Sequence, residues 1–251
     1  ANPVLGIKVL PDEVDMAFDG LLPFQWTRSY YSDQMGNGWF GQGWSTPLSA
    51  RIEVDETGLT YVDYQGRSFP IPTLDADNKQ VWFRAEQIVI SLLENGCYQV
   101  SDMAQTLKLE FSPLISMDAD GREFIRQYVL TAQSTRPAHQ NRIHYDQDGY
   151  PELVIDTLGR QVRVKSANVA AKDHPIIKRI VQISWQHEND NTEQESTDWL
   201  KTDYVYDENG DLIAVHRQGD RHAIRQFEYQ NHIMVAHTDA AGLRSEYTYD
   251  V

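Results

Sequence analysis

Residues 202–212 read TDYVYDENGDL, and this stretch contains the pattern that decides the fold of the chain. An alternating run ends in Tyr206, and Asp207 and Gly210 follow it. Alternation of apolar and polar residues predicts a strand with one buried face. Asn-Gly favours the positive φ of a tight hairpin turn. The stretch therefore predicts two antiparallel strands joined by a short turn.

The same signal recurs along the second half of the chain. A shorter form, RIHYDQDG, stands at residues 142–149, and SEYTYDV at 245–251 opens another unit. Strand-ending aromatic residues recur every 20 to 23 residues from Trp185 onward. A fixed period predicts hairpins that bury their apolar faces by stacking on neighbours. The predicted repeat positions are Tyr145, Asp146, Gly149, Trp185, Tyr206, Asp207, Gly210, Tyr229, Tyr249 and Asp250.

The unit at residues 245–251 opens without completing its pattern. An unfinished sheet leaves the backbone groups of its last strand without partners, which invites pairing with another strand. We therefore expect the chain to be a piece of a longer polypeptide, with a partner at this edge.

Period-two alternation and glycine-containing turns are common along the whole chain, and no long segment shows the three- and four-residue spacing of an amphipathic helix. The sequence predicts an all-β fold of antiparallel hairpins. Residues 1–136 lack the repeat and are predicted to form an N-terminal, mostly β module. Residues 137–251 are predicted to form the repeat hairpins, the last of them incomplete.

The composition excludes several classes of protein. A formal net charge of -15 and a pI near 4.8 repel phosphate backbones, so nucleic-acid binding is not expected. The longest apolar runs have strand length and fall short of the roughly 20 residues that a membrane helix needs. The single Cys97 excludes an internal disulfide and a thiolate metal cluster. These features favour synthesis in a reducing, bacterial cytoplasm.

Candidates for catalysis and metal binding have a simpler interpretation as turn and surface residues. Many of the aspartates stand beside Gly or Pro, and no histidine pair has the spacing of a known metal motif. The sequence therefore predicts no catalytic residue, no metal and no cofactor. The candidates weighed are Asp12, Glu13, Asp15, Asp118, Asp120, His216 with His222, and His232 with His237.

The tryptophans offer an alternative function, because exposed aromatic rings can form a platform for sugars. In alternating strands the same rings are more simply core or cross-strand partners. The core interpretation is preferred, and a carbohydrate-binding β module of the cell surface stays as the alternative. The six residues are Trp26, Trp39, Trp44, Trp82, Trp185 and Trp199.

Two motifs together resemble the Rhs/YD-repeat family. LLPFQWTRSY at residues 21–30, followed by GQGWS at 41–45, resembles the module that precedes the repeats in bacterial Rhs proteins. Tyr-Asp-x-x-Gly, with Gly-Arg or Gly-Leu-Arg steps at residues 157–160 and 241–244, resembles the repeat itself. We call residues 21–48 the leader stretch. Its motif residues are Pro23, Arg28, Tyr30, Gly41, Gly43 and Trp44.

The resemblance implies a role in packaging. In that family, β-strands coil into a hollow shell, or cocoon, around a toxic C-terminal domain, and many members are type VI secretion effectors in bacterial competition. The implied partners are the remaining shell, its toxin domain, and a VgrG- or PAAR-type spike protein or a chaperone. The implied location is the bacterial cytoplasm before secretion, then the exterior or a target cell. No Asp-Pro dipeptide occurs, so the family's aspartyl autoprotease signature is not expected within these residues.

Overall fold

The computed structural model describes residues 7–136, 139–172, 174–186 and 199–249. Their strands pair antiparallel as hairpins, which confirms the predicted all-β fold. Within these ranges, no helix has the length and apolar character to cross a membrane.

After the first two strands, those of the first half have at most five residues and follow one another closely. A single 3-10 helix turn, Pro47–Ser49, lies between the fifth and sixth. The strands are β1 (Val9–Phe18), β2 (Phe24–Tyr31), β3 (Asn37–Gly38), β4 (Gly41–Gln42), β5 (Trp44–Ser45), β6 (Arg51–Asp55), β7 (Gly58–Val62), β8 (Ser68–Ile71), β9 (Gln80–Phe83), β10 (Ile88–Leu92) and β11 (Tyr98–Asp102).

Longer strands follow in the second half. In β16, the alternation is direct, because Val162 and Val164 are buried while Gln161 and Arg163 are exposed. The strands are β12 (Lys108–Met117), β13 (Glu123–Arg136), β14 (His139–Tyr145), β15 (Pro151–Ile155), β16 (Gln161–Ala171), β17 (His174–Gln186), β18 (Trp199–Tyr206), β19 (Leu212–Arg217), β20 (Arg225–Gln230), β21 (Ile233–Asp239) and β22 (Arg244–Glu246).

The chain divides into two compact units. The first unit gathers the described residues within 1–17, 25–46 and 160–251, and the second unit consists of those within 18–24 and 47–159. The predicted division of the sequence at residue 137 stays a prediction.

The second unit is built from hairpins in chain order, β6 to β15. Its longest strand, β13, pairs with three others: with β12 along most of its length, with β6 through Gln127–Val129, and with β14 from Ala132 onward. The core lies under these strands. Its most deeply buried side chains are Ile52, Val89, Ile90, Phe111, Leu130 and Val154.

The first unit contains two kinds of sheet. β1, β2 and β5 form a three-stranded sheet, and β3 pairs with β4. β16 to β22 pair in succession, each antiparallel to the next. The most deeply buried apolar side chains come from both parts: Trp26, Tyr30, Phe40, Val162, Ile180, Ile183, Leu212, Val215, Met234 and Ala236.

Candidate functional site

Several of the acidic and histidine candidates have structural partners. Glu13 pairs with Arg225 at 2.8 Å, and the Asp118 carboxylate accepts backbone N–H groups of its own turn. His232 Nδ1 lies 3.0 Å from the carboxylate of buried Asp211. In the part of the chain that is described, no three His, Cys, Asp or Glu side chains are grouped so that they could hold a metal ion.

Arg28, on β2, is the centre of a buried charged cluster. Its Nε and Nη2 atoms donate to the two carboxylate oxygens of Asp15, on β1, at 2.5 and 2.9 Å. Both side chains are at most 1% exposed. The hydroxyl of Tyr204, on β18, donates to the same carboxylate at 2.6 Å. Removing ions from water costs several kcal/mol each, so such a pair is stable only with close, complete partners. The cluster fixes β1, β2 and β18 together.

Aromatic rings complete the surroundings of the Arg28 guanidinium. The ring centroids of Trp44, Tyr204 and Phe40 lie 4.8, 5.4 and 5.9 Å from its Cζ atom. Its Nη1 atom has no hydrogen-bond partner among the described residues, and the negative faces of the rings attract the cation there. Burial by itself lowers the pKa of Arg28, but the neighbouring Asp15 carboxylate raises it above its ordinary value. Arg28 is therefore a permanent cation.

Tyr30 and Trp44, two other motif residues of the leader stretch, contact the repeat strands. Their rings meet edge to face, with centroids 5.3 Å apart. Trp44 Nε1 donates to the Tyr229 hydroxyl at 2.8 Å, and the Tyr30 hydroxyl accepts the Met234 N–H at 2.9 Å. Burial raises the pKa of Tyr30 to about 12. Both rings thus join the leader stretch to β20 and β21.

Gly43 permits the close packing of this region. Its φ is +80°, and a Cβ atom there would lie 2.5 Å from Cε2 of Tyr30. Its carbonyl accepts the Tyr31 N–H at 2.9 Å. Gly41 has a φ of +101°, and a Cβ on it would lie 3.3 Å from the carbonyl oxygen of Gly210. Gly43 is required by both conformation and space, and Gly41 is favoured by its positive φ.

Pro23 is the one motif residue of the leader stretch that is exposed, and it directly precedes β2. The structure therefore brings together Arg28, Tyr30, Gly43 and Trp44, and places Gly41 beside a repeat turn.

Arg179, on β17, is a buried residue that the sequence pattern did not predict. It is 3% exposed. Its Nη2 atom donates to the Asn37 side-chain oxygen at 2.6 Å, and its Nε donates to the Gly210 carbonyl at 3.2 Å. The dipeptide Lys178-Arg179 looks like a solvated pair of charges in the sequence. Nothing in the local pattern distinguishes the buried arginine from its neighbour.

Three tyrosines of the Tyr-Asp pattern use their hydroxyls in the same way. Each donates to the backbone carbonyl of a fully buried residue in an earlier strand of its own unit, at 2.6 or 2.7 Å. Burial raises the pKa of two of them, Tyr145 and Tyr249. The donor and acceptor pairs are Tyr145 with Leu130, Tyr206 with Ile180 and Tyr249 with Met234.

Each accepting residue stands immediately before an extra residue in its strand. The pairing of β12 with β13, of β16 with β17 and of β20 with β21 shifts register at that place. Such a bulge interrupts the ladder and leaves backbone groups to be satisfied elsewhere. The tyrosine hydroxyl therefore supplies a hydrogen bond at the bulge. The extra residues are Thr131, Val181 and Val235.

In the first unit, the leader stretch bonds to the same bulges. The Ile180 N–H donates to the Trp39 carbonyl at 3.0 Å, and the Met234 N–H donates to the Tyr30 hydroxyl at 2.9 Å. Ile180 and Met234 thus each donate their N–H to the leader stretch, and their carbonyls each accept the hydroxyl of a repeat tyrosine. At these bulges, the leader stretch and the repeat strands of the first unit are hydrogen-bonded to each other.

Aspartate and glycine, rather than tyrosine, form the turn. At six places in the described residues, the Asp carboxylate accepts the N–H two residues later, and the Gly N–H donates to the Asp carbonyl. These glycines have φ between 77 and 85°. Two of the turns, at Asp63 and Asp118, lie before residue 137. The pairs are Asp63 with Gly66, Asp118 with Gly121, Asp146 with Gly149, Asp156 with Gly159, Asp207 with Gly210 and Asp239 with Gly242.

Trp185 and Asp250 are two further predicted repeat positions. Trp185 is half-buried near the end of β17, where it pairs with Val162 and Leu200. Asp250 lies outside the described residues. The assignment of both to the repeat stays a prediction.

The tryptophans are divided between core and surface. Trp26 and Trp44 are 1% and 4% exposed, whereas Trp82 on β9 is 50% exposed. Trp39 is half-buried. The side chain of Trp199 lies outside the described part of the structure. Trp26 and Trp44 thus have the core role preferred in the sequence analysis.

Known proteins resemble this chain over different extents. Residues 2–70 match the family described as a domain of unknown function, DUF6531. The toxin protein Tse5 of Pseudomonas aeruginosa is 26% identical over 270 residues, covering 100% of this chain and 20% of the toxin. The double-stranded DNA deaminase toxin A of Burkholderia cenocepacia is 26% identical over 256 residues, covering 99% of this chain and 16% of the toxin.

Among solved structures, the N-terminal domain of effector protein SpvB from Salmonella typhimurium aligns with 96% of this chain and 99% of its own, at 13% identity and a TM-score of 0.40. The chain spans a fifth or less of the two toxin polypeptides that it matches. The matches confirm the predicted resemblance to the Rhs/YD-repeat family.

Proposed function

We propose that this chain is a non-catalytic structural segment of an Rhs-type shell that encloses a toxic domain of the same parent polypeptide and helps to deliver it. The match of 100% of this chain to 20% of the toxin protein Tse5 carries the proposal. In that relative, the corresponding segment is one part of a much longer toxin polypeptide. The toxic activity is assigned to the remainder of the parent.

The repeated bulges support a role in a curved wall. A bulge bends its strand and increases the local twist. The bulges before Thr131, Val181 and Val235 share one arrangement, in which a tyrosine hydroxyl bonds to the carbonyl before the extra residue. A sheet bent in the same way at these three places is suited to surrounding a cavity.

The buried charges support a structural role as well. Arg28 and Asp15 are at most 1% exposed and are held by each other and by Tyr204. Almost no solvent reaches them, so they are poorly placed to act on a substrate. Their arrangement instead stabilises the packing of the leader stretch on the repeat strands.

Protection of the toxin domain tests the enclosure. The full-length parent polypeptide is digested with a nonspecific protease, and the toxin domain is followed by mass spectrometry beside the same domain produced alone. We expect the enclosed domain to be cut at least about tenfold more slowly, because protease then needs an opening of the shell. Equal rates of digestion would contradict the proposal.

A pair of variants links that protection to this segment. Arg28→Met leaves the Asp15 carboxylate buried without its partner, whereas Arg244→Met removes an exposed pair with Glu228 in the same unit. We expect faster digestion of the toxin domain in the first variant and unchanged digestion in the second. A protected toxin domain in both variants would show that the enclosure does not depend on this cluster.

The proposal includes type VI secretion from the bacterial cytoplasm with a spike protein as the partner. A competition assay tests this route by comparing attackers with and without a functional secretion sheath. We expect killing by the parent toxin to be lost without the sheath. Undiminished killing would exclude this secretion route without contradicting the proposal that the shell encloses the toxin domain.

A further inference from the structure

The hairpin of β12 and β13 extends beyond the strands on either side of it. β11 pairs with β12 up to Phe111, and β6 pairs with β13 from Gln127 onward. The hairpin continues to the pair Met117 and Glu123. Among the described residues, no further strand pairs with the outer part of this hairpin on either side. The outer part is therefore a two-stranded ribbon with open edges. We call residues 114–125 the ribbon.

The ribbon exposes large apolar side chains on both faces. Opposite residues in an antiparallel pair share a face, and successive residues alternate. Ile115 lies opposite Ile125, and Met117 shares their face, at exposures of 55%, 38% and 69%. Phe124, opposite Ser116, points to the other face and is 47% exposed. Isolated two-stranded ribbons are marginal in water, so this element gains stability from a cover.

The base of the ribbon is already covered by a repeat turn. A Cβ atom on Gly149 would lie 2.7 Å from Nε2 of Gln127 and 3.1 Å from Cδ2 of Leu114. The turn from Asp146 to Gly149 thus packs directly against the ribbon base. In the first unit, the turn at Gly210 packs against the equivalent hairpin of β16 and β17, where Ala170 and Ala171 are its neighbours. Covering a long hairpin with a following element is therefore a repeated contact within this chain.

We infer that the ribbon is a docking surface for an extended, apolar strand from the remainder of the parent polypeptide. The open edges of β12 and β13 offer backbone hydrogen bonds, and Ile115, Met117 and Phe124 offer apolar contacts to alternate side chains of that strand. This docking surface lies next to the base of the ribbon, which the turn at Gly149 already covers. The inference rests on the proposed function, because the parent must supply the strand.

Four-fifths or more of the matched toxin polypeptides lies outside the region that this chain covers. A segment tethered in the same polypeptide has a high effective concentration, so even modest contacts would hold it on the ribbon. A second copy of this chain has no such advantage. These considerations favour the parent's own strand as the occupant.

Amide hydrogen exchange tests the inference. The exchange rates of residues 114–125 are compared between this chain alone and the full-length parent. We expect at least about tenfold slower exchange in the parent, because a covering strand must open before exchange. Equal rates in the two proteins would overturn the inference. Protection in this chain alone that rises with protein concentration would also overturn it, since it would identify a second copy as the occupant.

Matched variants separate the ribbon from exposed apolar residues in general. Ile115→Thr with Ile125→Thr keeps β-branched side chains but removes the apolar contact. Ile176→Thr with Leu200→Thr changes two side chains that are 65% and 45% exposed elsewhere. We expect the first pair to restore fast exchange of the ribbon in the parent and the second pair to leave it slow. Slow exchange in the first pair would contradict the apolar part of the inference.

The two proposals fail separately. Slow ribbon exchange with a freely digested toxin domain would support the docking surface and contradict the enclosure. Fast ribbon exchange with a protected toxin domain would overturn the docking surface and leave the enclosure standing.

Discussion

At the scale of single residues, Arg28 has the largest expected effect. Its partner Asp15 is 5% exposed as a whole residue and would be left as a buried, unpaired charge. We expect Arg28→Met to lower the free energy of unfolding by about 3 to 5 kcal/mol. Arg244→Met, whose bonds to Glu228 are exposed, should cost no more than about 1 kcal/mol. Urea denaturation of this chain measures both. Similar losses in the two variants would show that burial does not decide the effect.

Gly43 allows backbone strain to be distinguished from steric overlap. Gly43→Ala places a Cβ 2.5 Å from Tyr30, at a φ of +80°. Gly219→Ala has a similar φ of +87° with nothing within 4 Å. We expect about 1 to 2 kcal/mol of destabilisation for Gly219→Ala from the backbone alone. Gly43→Ala should cost about 1 to 3 kcal/mol more, because Tyr30 must move. Thermal denaturation measures the difference, and equal costs would contradict the packing argument.

At the scale of the element, the tyrosine hydroxyl and the bulge form one structural unit. Tyr206→Phe removes the donor to the Ile180 carbonyl, which is 2.6 Å away. Leaving a buried acceptor without its partner costs about 1 to 3 kcal/mol. We expect that loss together with faster amide exchange around Val181.

Tyr64→Phe is the matched control for this hydroxyl. Its hydroxyl accepts a bond of 3.3 Å from the exposed Gln65 amide, so we expect little change. An unchanged stability of Tyr206→Phe, or equal losses in the two variants, would show that the bulge does not depend on the tyrosine.

The hairpin of β21 and β22 should be sensitive to pH. Burial, followed by the charges of Lys8 and Arg225, lowers the pKa of His237, whose Nδ1 contacts the Tyr247 hydroxyl. A histidine with a lowered pKa binds fewer protons when folded than when unfolded. Its contribution to stability is present above the unfolded pKa of about 6.5 and is lost as the pH falls through the folded value.

Amide exchange of residues 235–247 at pH 7 and pH 5, corrected for the intrinsic rates, measures this effect. We expect weaker protection at the lower pH, and His237→Gln should reduce the dependence. Protection that is independent of pH in the native chain would contradict the role of His237.

The turns of these elements could be predicted from the sequence, whereas the register of their strands could not. Tyr206-Asp207 and Gly210 predicted a hairpin turn, and the local hydrogen bonds of Asp207 explain why that prediction needs no distant partner. The bulge at Val181 could not be predicted, because a register shift depends on how two strands pair. The sequence predicted stacking for the recurring aromatic rings, but it did not predict that the Tyr206 hydroxyl bonds to another strand while Asp and Gly form the turn.

At the scale of the whole molecule, charge is the dominant property. The formal net charge of -15 creates repulsion within the folded chain, which salt screens. We expect the midpoint of thermal unfolding to rise when sodium chloride increases from about 20 mM to about 300 mM, where the screening length falls below about 10 Å. Calorimetry measures the midpoint. A lower midpoint at high salt would show that ion pairs such as Arg225 with Glu13 outweigh the repulsion.

The sequence by itself determined the strands, the Asp-x-x-Gly turns and the glycines at positive φ, because these depend on residues within a few positions of one another. Only the tertiary structure decided that Arg28 and Arg179 are buried and that the leader stretch bonds to the bulge amides of Ile180 and Met234. The bond of Arg179 to Asn37 and the bonds of the leader stretch to Ile180 and Met234 join residues more than 140 positions apart. Burial and pairing at such separations depend on the packing of the complete unit, which local patterns do not encode.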